Sequence, residues 1–386
     1  MDNLISKWHN SVEEIDEQLW NNLHINNSIP FYTWKWLQNL EKSGSVNKRK
    51  GWQPLFLSIW RNDSLISVAP LYIKYHSYGE FIFDNLFNQL AIDIGVNYYP
   101  KLVGMSPFSP IEGYKFIFAA GQKEEELSLF MFKQIDEFAI RNKINSCNFL
   151  YVDPIWGDTA KKLGCSEWIN KKSLWTSRNE VQFCDYLQHF NSNQRRNIKR
   201  ERKSISDKGI KIKVVEGEEI QEKDMKNMYD FYSYHCDHWG IWGSKYLSKE
   251  FFTRLSNEDH KRNSLLFIAH ENGNSEPLAM SLCIKNETMI WGRYWGSKKN
   301  IDSLHFELCF YSPIEWAIKN QIQFFDPGAG GGHKQRRGFL FKPTRSMHRW
   351  YNNKMNSIIN KWLPRANGLI LEEMKIANNE IPIKKL

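Results

Sequence analysis

WQPLFLSIW-RNDS-LISVAPLYIK (52–74) and SLLFIAHENGNSEPLAMSLCIK (264–285) read alike. Each is an apolar run, a polar turn and a second apolar run, which is the pattern of a β-hairpin. After the first comes EFIFDNLFNQLAIDIG (80–95), where Phe83, Leu86, Phe87, Leu90 and Ile94 fall on one helical face, and then the short strand KLVGMSPF (101–108). KEEELSLFMFKQIDEFAIRNK (123–143) predicts an amphipathic helix whose acidic first turn suits the helix dipole. After the second hairpin come the strand TMIWGRYWGS (288–297), a helix over 301–320 that Pro313 should kink, and the strand IQFFDPG (322–328). Hairpin, helix and strand thus recur in each half. The expectation is an α/β (α+β) fold of two similar domains, each a mixed sheet flanked by helices. The boundary falls near 172–185, giving domains over 1–175 and 176–386, with a helix over 351–377 interrupted at Pro364 and Gly368.

Bulk properties agree with this division. A chain of 386 residues is long for one core and suits two. Lys and Arg exceed Asp and Glu by nine, a field that favours anionic partners without choosing among them. The six cysteines form no C-x-x-C pair and read as reduced thiols of a cytoplasmic protein. The first residues, MDNLISKWHNSVEEIDEQLW, hold no apolar core of a signal peptide. No apolar stretch long enough to span a membrane occurs. Tryptophan and phenylalanine are spread along the whole chain, which favours core packing over a long apolar or sugar-binding groove.

The most unusual stretch is FDPGAGGGHKQRRGF (325–339). Gly328, Gly330 and Gly331 expose backbone N–H groups, and Lys334, Arg336 and Arg337 add fixed cations beside His333. That combination suits a phosphate, a carboxylate or a developing oxyanion. Asp326 stands at the end of the preceding strand. Neither a Walker loop nor a G-x-G-x-x-G turn is present, and no G-x-S-x-G elbow occurs. His333 or Glu307 is the candidate proton acceptor for an amine nucleophile, with His305, on the 301–320 helix beside Glu307, and Asp326 as further catalytic candidates. Arg293 and Trp295 on the 288–297 strand complete the substrate-binding candidates. His235, Cys236, Asp237 and His238 adjoin but match no zinc spacing, so no metal is expected. NSNQRRNIKRERKSISDKG (191–209) predicts a basic helix in which Arg196, Arg200 and Lys203 share a face and Glu201 is the one glutamate. It suits an RNA backbone or an acidic carrier, and equally a solvated surface.

LHFELCFYSPIEWAIKNQIQFFDPGAGGGHKQRRGFLFKPTRSMHRW (304–350), with blocks at 40–58, 76–113 and 186–203, resembles the peptidoglycan biosynthesis/recognition proteins, Fem-like members of the GNAT acyltransferase superfamily. Asp326, Gly328, Ala329, Gly331, His333, Lys334, Arg337 and Gly338 fall on the places of the family pattern. Asp326 stands where a glutamate is usual, and Gly332 where an acid is usual. The resemblance implies two tandem GNAT-like domains and acyl transfer to an amine of a peptide or cell-wall precursor. It places the donor where the fourth strand meets the next helix, here Ser297, Lys298 and Lys299. No bound cofactor is implied. The co-substrate is a fatty-acyl thioester of coenzyme A or of an acyl carrier protein or, alternatively, an aminoacyl-tRNA. The rival class is a non-catalytic peptide- or glycan-binding module.

Overall fold

A computed structural model describes residues 4–23, 29–240 and 243–384. The chain divides into two compact units, one of Met1–Asn170 with Pro343–Glu372 and one of Lys171–Lys342 with Glu373–Leu386.

The first unit carries strands β1 (Leu4–His9), β2 (Trp52–Arg61), β3 (Ser64–Lys74), β4 (Lys101–Gly104), the short β5 (Ile117–Phe118), β6 (Ser146–Phe149) and the start of β7 (Ser166–Thr176). β2 and β3 pair from Trp52↔Lys74 to Arg61↔Ser64. This leaves Asn62 and Asp63 as a two-residue turn with φ of 48° and 62°. Positive φ at both turn residues matches the twist of the strands, and Asn and Asp tolerate it. β4 and β6 run parallel. The crossover between them includes the helix Glu124–Arg141, which buries Leu127, Met131, Phe132, Ile135 and Ala139 on one face.

The second unit carries β8 (Ile210–Glu216), β9 (Ser264–Glu271), β10 (Ala279–Lys285), β11 (Met289–Ser297), β12 (Phe324–Asp326) and the first residues of β13 (Leu340–Trp350). β8 to β11 form an antiparallel meander, and β12 then lies parallel to β11. Both units therefore share one plan: four antiparallel strands, a helical crossover, a parallel fifth strand and an antiparallel sixth. The sixth strand of the first unit comes from β13, whose Met347–Trp350 pairs with Phe149–Ser146. The sixth strand of the second comes from β7, whose Trp175 and Thr176 pair with Phe325 and Phe324. This is the duplicated mixed-sheet fold that the two hairpins imply, two tandem GNAT-like units.

Several local expectations are corrected. The 80–95 segment is helical only over Asn85–Asp93. Phe83 and Leu86, expected on its buried face, are 86% and 65% exposed. Glu80 and Asp84 are instead drawn inward to the Lys101 ammonium, at 2.8 and 2.5 Å, and this turns Phe83 outward. The C-terminal helix runs unbroken over Asn353–Asn379 through Pro364 and Gly368. Its residues up to Glu372 belong with the first unit, whereas the sequence places them with the second half.

The 301–320 helix does not simply kink. It runs as Leu304–Phe306, a π turn over Glu307–Tyr311, and Ser312–Lys319. Pro313 has no N–H to give the preceding turn. The Leu308 carbonyl accepts instead from the Ser281 hydroxyl at 2.7 Å.

β11 lies directly on the helix Glu222–His238. A Cβ on Gly296 would sit 2.1 Å from the Phe231 carbonyl oxygen, a backbone atom that cannot move aside. Gly296→Ala is therefore expected to destabilise the second unit by about 1–3 kcal/mol, read as a lowered urea midpoint. An unchanged midpoint would contradict this packing.

Candidate functional site

β11 and β12 are paired only over Met289–Trp291 and Phe324–Asp326. Beyond them β11 continues to Ser297, whereas β12 stops and the chain enters the Pro327–Gly338 loop. A parallel pair that parts in this way opens the sheet at the carboxyl ends of its strands, where ligands of α/β folds bind.

The loop is fixed from inside by its own cations. Lys334, 3% exposed, donates from Nζ to the carbonyls of Gly328 at 2.6 Å and Ala329 at 3.1 Å. Burial pushes its pKa down to about 8, against the opposing pull of Asp326. Asp326 accepts the Gly328 N–H at 2.8 Å. Arg337, also 3% exposed, donates to the His333 carbonyl at 2.9 Å and to Glu201 Oε2 at 2.8 Å. Its guanidinium lies 3.4 Å from the centre of the Phe306 ring, a close cation–π contact. Two side chains from the segment 183–207 hold the loop's far end. The Tyr186 hydroxyl donates to the Arg337 carbonyl at 2.9 Å, and the Gln194 amide donates to the Arg336 carbonyl at 2.7 Å.

The π turn is clamped at both ends by neighbouring residues of opposite charge on the helix Ser192–Asp207. Arg202 holds Glu307 through Nε and Nη2 at 3.0–3.2 Å. Glu201 accepts the Tyr311 hydroxyl. Glu307 also accepts from Ser312 at 2.9 Å, so its oxygens are engaged in structural bonds. π turns of this kind frequently mark functional sites.

Between the clamp and the loop lies a cluster of rings. The His333 ring centre is 5.6 Å from His305, 5.6 Å from Phe306 and 5.5 Å from Phe310. His305 in turn packs on Trp295 at 4.9 Å, and Trp295 on His235 at 5.8 Å. Gly331 admits this arrangement: its φ is +80°, and a Cβ there would lie 2.6 Å from the His333 ring. Burial lowers the pKa of His305 to about 3, helped by the charges of His333 and Arg337. Burial, then Arg337 and Lys334, lowers that of His333. Both imidazoles are thus uncharged at neutral pH. His333 is half-buried and keeps contact with solvent.

The structure therefore brings His333, His305, Trp295, Lys334 and Arg337 together. Glu307 and Asp326 point into structural bonds. Arg336 is exposed, and Arg293 stacks on Tyr294 at 5.5 Å. At the end of β11, Ser297 Oγ donates to the Lys299 carbonyl at 2.6 Å. Lys299 pairs with Glu271 at 2.7 Å, and Lys298 lies 5.2 Å over Phe231. Among the described residues no group of three His, Cys, Asp or Glu side chains could hold a metal ion. Asp237, beside His238, is paired with Lys245 at 2.9 Å. A cavity of about 580 Å³ lies across the 304–319 helix from the ring cluster, lined by Arg202, Ile212, Val214, Glu315 and Trp316 among others. Neither His305 nor His333 reaches it.

Glu201, Tyr311, Phe306, Phe310 and Tyr186 were not singled out by sequence. The one available signal is the lone Glu201 inside a basic run.

Folding holds His305 unprotonated between its pKa of about 3 and the ordinary 6.5, whereas the unfolded chain takes up a proton there. Stability then falls as pH drops through that window. His305→Gln should flatten the loss by up to about 1.4 kcal/mol per pH unit, measured by chemical denaturation from pH 6.5 to 4. Equal slopes for both proteins would show that His305 is not buried neutral.

The FemAB-like family model, described as peptidoglycan biosynthesis/recognition, matches residues 11–385. No curated protein matches the chain. Among solved structures, FemX is similar at 10% identity over 92% of this chain and 100% of that chain, with a TM-score of 0.52. The C-terminal domain of a putative lysylphosphatidylglycerol synthetase from Agrobacterium fabrum aligns at 10% identity over 92% and 97%, with a TM-score of 0.50. A tandem GNAT protein from the clavulanic acid biosynthesis pathway aligns at 7% identity over 91% and 99%, with a TM-score of 0.47. With the match to the family model running from residue 11 to residue 385, the chain belongs to the FemAB-like family of peptidoglycan biosynthesis and recognition.

Proposed function

We propose that the chain is a transferase that forms an amide between an activated acyl group and an amine of a peptidoglycan-type precursor. The observation that carries this reading is the uncharged His333, half-buried on aromatic rings at the mouth of a parted strand pair and followed by two buried cations. An amine must lose a proton as it attacks a carbonyl, and a neutral imidazole accepts it. The nitrogen bonds to the carbonyl carbon. The bond from that carbon to the donor's oxygen or sulfur then breaks. The amine proton passes through His333 to the leaving atom. Backbone N–H groups of the Ala329–Gly332 run stabilise the oxyanion. His305, with a pKa near 3, is too weak a base for this role and shapes the ring wall instead. Asp326 and Glu307 hold the loop and the π turn. Arg293, Trp295 and Arg336 stand at the acceptor side, and Ser297 to Lys299 at the donor side.

Family membership favours an aminoacyl ester on tRNA as the donor. The exposed cations Arg196, Lys199, Arg200 and Lys203, on one face of the helix Ser192–Asp207, fit such a polyanion. A fatty-acyl thioester of coenzyme A or of a carrier protein is the second donor class. The purified chain, a precursor pentapeptide and each donor in turn are combined, and the products are weighed by mass spectrometry. An amino-acid increment on the precursor amine with charged tRNA is expected. No increment with any donor would overturn the transferase reading. His333→Ala should lower kcat by about 10²–10⁴ with the acceptor KM little changed. Full activity in that variant would remove His333 from the chemistry.

A further inference from the structure

The first unit holds an ordered feature that the transfer chemistry leaves unused. The loop Ser77–Asp84 is closed at its base by a single ammonium. Lys101 Nζ donates to Ser77 Oγ at 2.8 Å, Glu80 Oε2 at 2.8 Å and Asp84 Oδ2 at 2.5 Å. Ser77 Oγ donates to Asp84 at 2.9 Å, and the Tyr98 hydroxyl does so at 2.7 Å. Lys101 and Glu80 are each 1% exposed. Burial alone would lower the pKa of Lys101, but Glu80 and Asp84 overcome it and hold it above the ordinary value. The Tyr151 hydroxyl donates to the carbonyls of Glu80 at 3.1 Å and Phe81 at 2.8 Å. Trp52 Nε1 and Lys74 Nζ both donate to the Tyr78 carbonyl, at 3.2 and 3.1 Å. Left-handed backbone is gathered here as well: φ is +57° at Phe81, +59° at Phe108, which packs on Trp52, and +53° at Tyr151. Left-handed backbone at such bulky residues is strained, and strain of this kind clusters at ligand-binding and active sites.

The outcome of this anchoring is an apolar tip held in water. Tyr78 is 69% exposed, Phe83 86% and Leu86, on the following helix, 65%. An ordinary surface loop needs neither the buried ion network nor the outward phenylalanine. A basic turn adjoins the tip. Lys48, Arg49 and Lys50 are exposed, and the Lys50 carbonyl accepts from His76 Nε2 at 3.1 Å. The His76 ring lies 5.0 Å from that of Tyr78, and the Tyr75 N–H donates to the Gly51 carbonyl.

We infer that this face of the first unit docks on an anionic lipid–water interface. Phe83 and Leu86 enter the acyl boundary, and Tyr75 and Tyr78 lie at headgroup level. Lys48, Arg49 and Lys50 meet the anionic headgroups. The pairing of apolar tip and adjacent cations selects this occupant: aromatic rings favour the interface, and three cations supply the charge complementarity. No helix among the described residues is long and apolar enough to cross a membrane. The inference is independent of the transferase reading.

The test is co-sedimentation of the full chain with vesicles of phosphatidylcholine, with or without phosphatidylglycerol. The wild type should bind only the anionic vesicles and be released by salt. Phe83→Ser with Leu86→Ser should weaken binding at least about tenfold. Each of Lys48→Gln, Arg49→Gln and Lys50→Gln should weaken it about fivefold. All five positions are exposed, so thermal unfolding should be unchanged. As a control for overall basicity, Arg196→Gln with Arg200→Gln and Lys203→Gln should leave binding within about twofold. The proposal is overturned if the wild type ignores anionic vesicles, if the apolar double variant binds as well as wild type, or if the control weakens binding equally. Loss of binding to soluble glycan strands in the apolar variant, with vesicle binding intact, would also overturn it.

Discussion

The buried guanidinium of Arg337 is the contact on which the second unit's site depends. It satisfies the His333 carbonyl, pairs with Glu201 and covers the face of Phe306. A loop rich in glycine has much conformational freedom to lose, and a fixed cation at its centre restricts it. Glu201 passes the constraint on to Tyr311, and Arg202 beside it holds Glu307. Helix, π turn and loop are thereby held as one assembly. A charge buried in this way is costly to leave unpaired, so the three elements stand or fall together.

The duplication sets a parallel fifth strand beside the fourth in each unit, but only in the second unit does the fourth strand run on beyond the pairing. In the second unit β12 runs into the glycine-rich loop. In the first, β6 runs into Leu150–Asp153, where the Tyr151 carbonyl accepts from the N–H groups of Gly113 and Tyr114. Asp153 caps the next helix there, accepting from Ile155 and Trp156. That position is sealed by backbone bonds and a helix start. The first unit's unusual chemistry lies instead at the Lys101 network, which shapes a surface. One fold thus carries the glycine-rich loop and its ring cluster in one copy and an anchored apolar tip in the other.

Much of the fold was legible because it rests on local rules. The Asn62–Asp63 turn and the apolar runs around it fix the first hairpin, and the acidic start and apolar stripe fix the helix Glu124–Arg141. The Gly-His-Lys-Arg loop was legible as unusual chemistry. What escaped sequence depends on distant partners. Glu201 meets Arg337 across 136 residues, and its place in a basic run does not name that partner. The 80–95 pattern misleads because Lys101 draws Asp84 inward and reverses the face on which Phe83 lies. Pro313 predicts a disturbance, but the π turn also needs Ser281 to take the Leu308 carbonyl. The exchange of sixth strands between units follows from topology alone.

The central claim is that the loop presents an uncharged imidazole to an incoming amine. It is tested most directly by a ¹⁵N-histidine NMR titration of the full chain, with His333 assigned by its alanine variant. The account predicts that His333 titrates below the ordinary histidine value and that its signal moves when an acceptor peptide is added. A His333 that titrates at or above the ordinary value, indifferent to the acceptor, would contradict it.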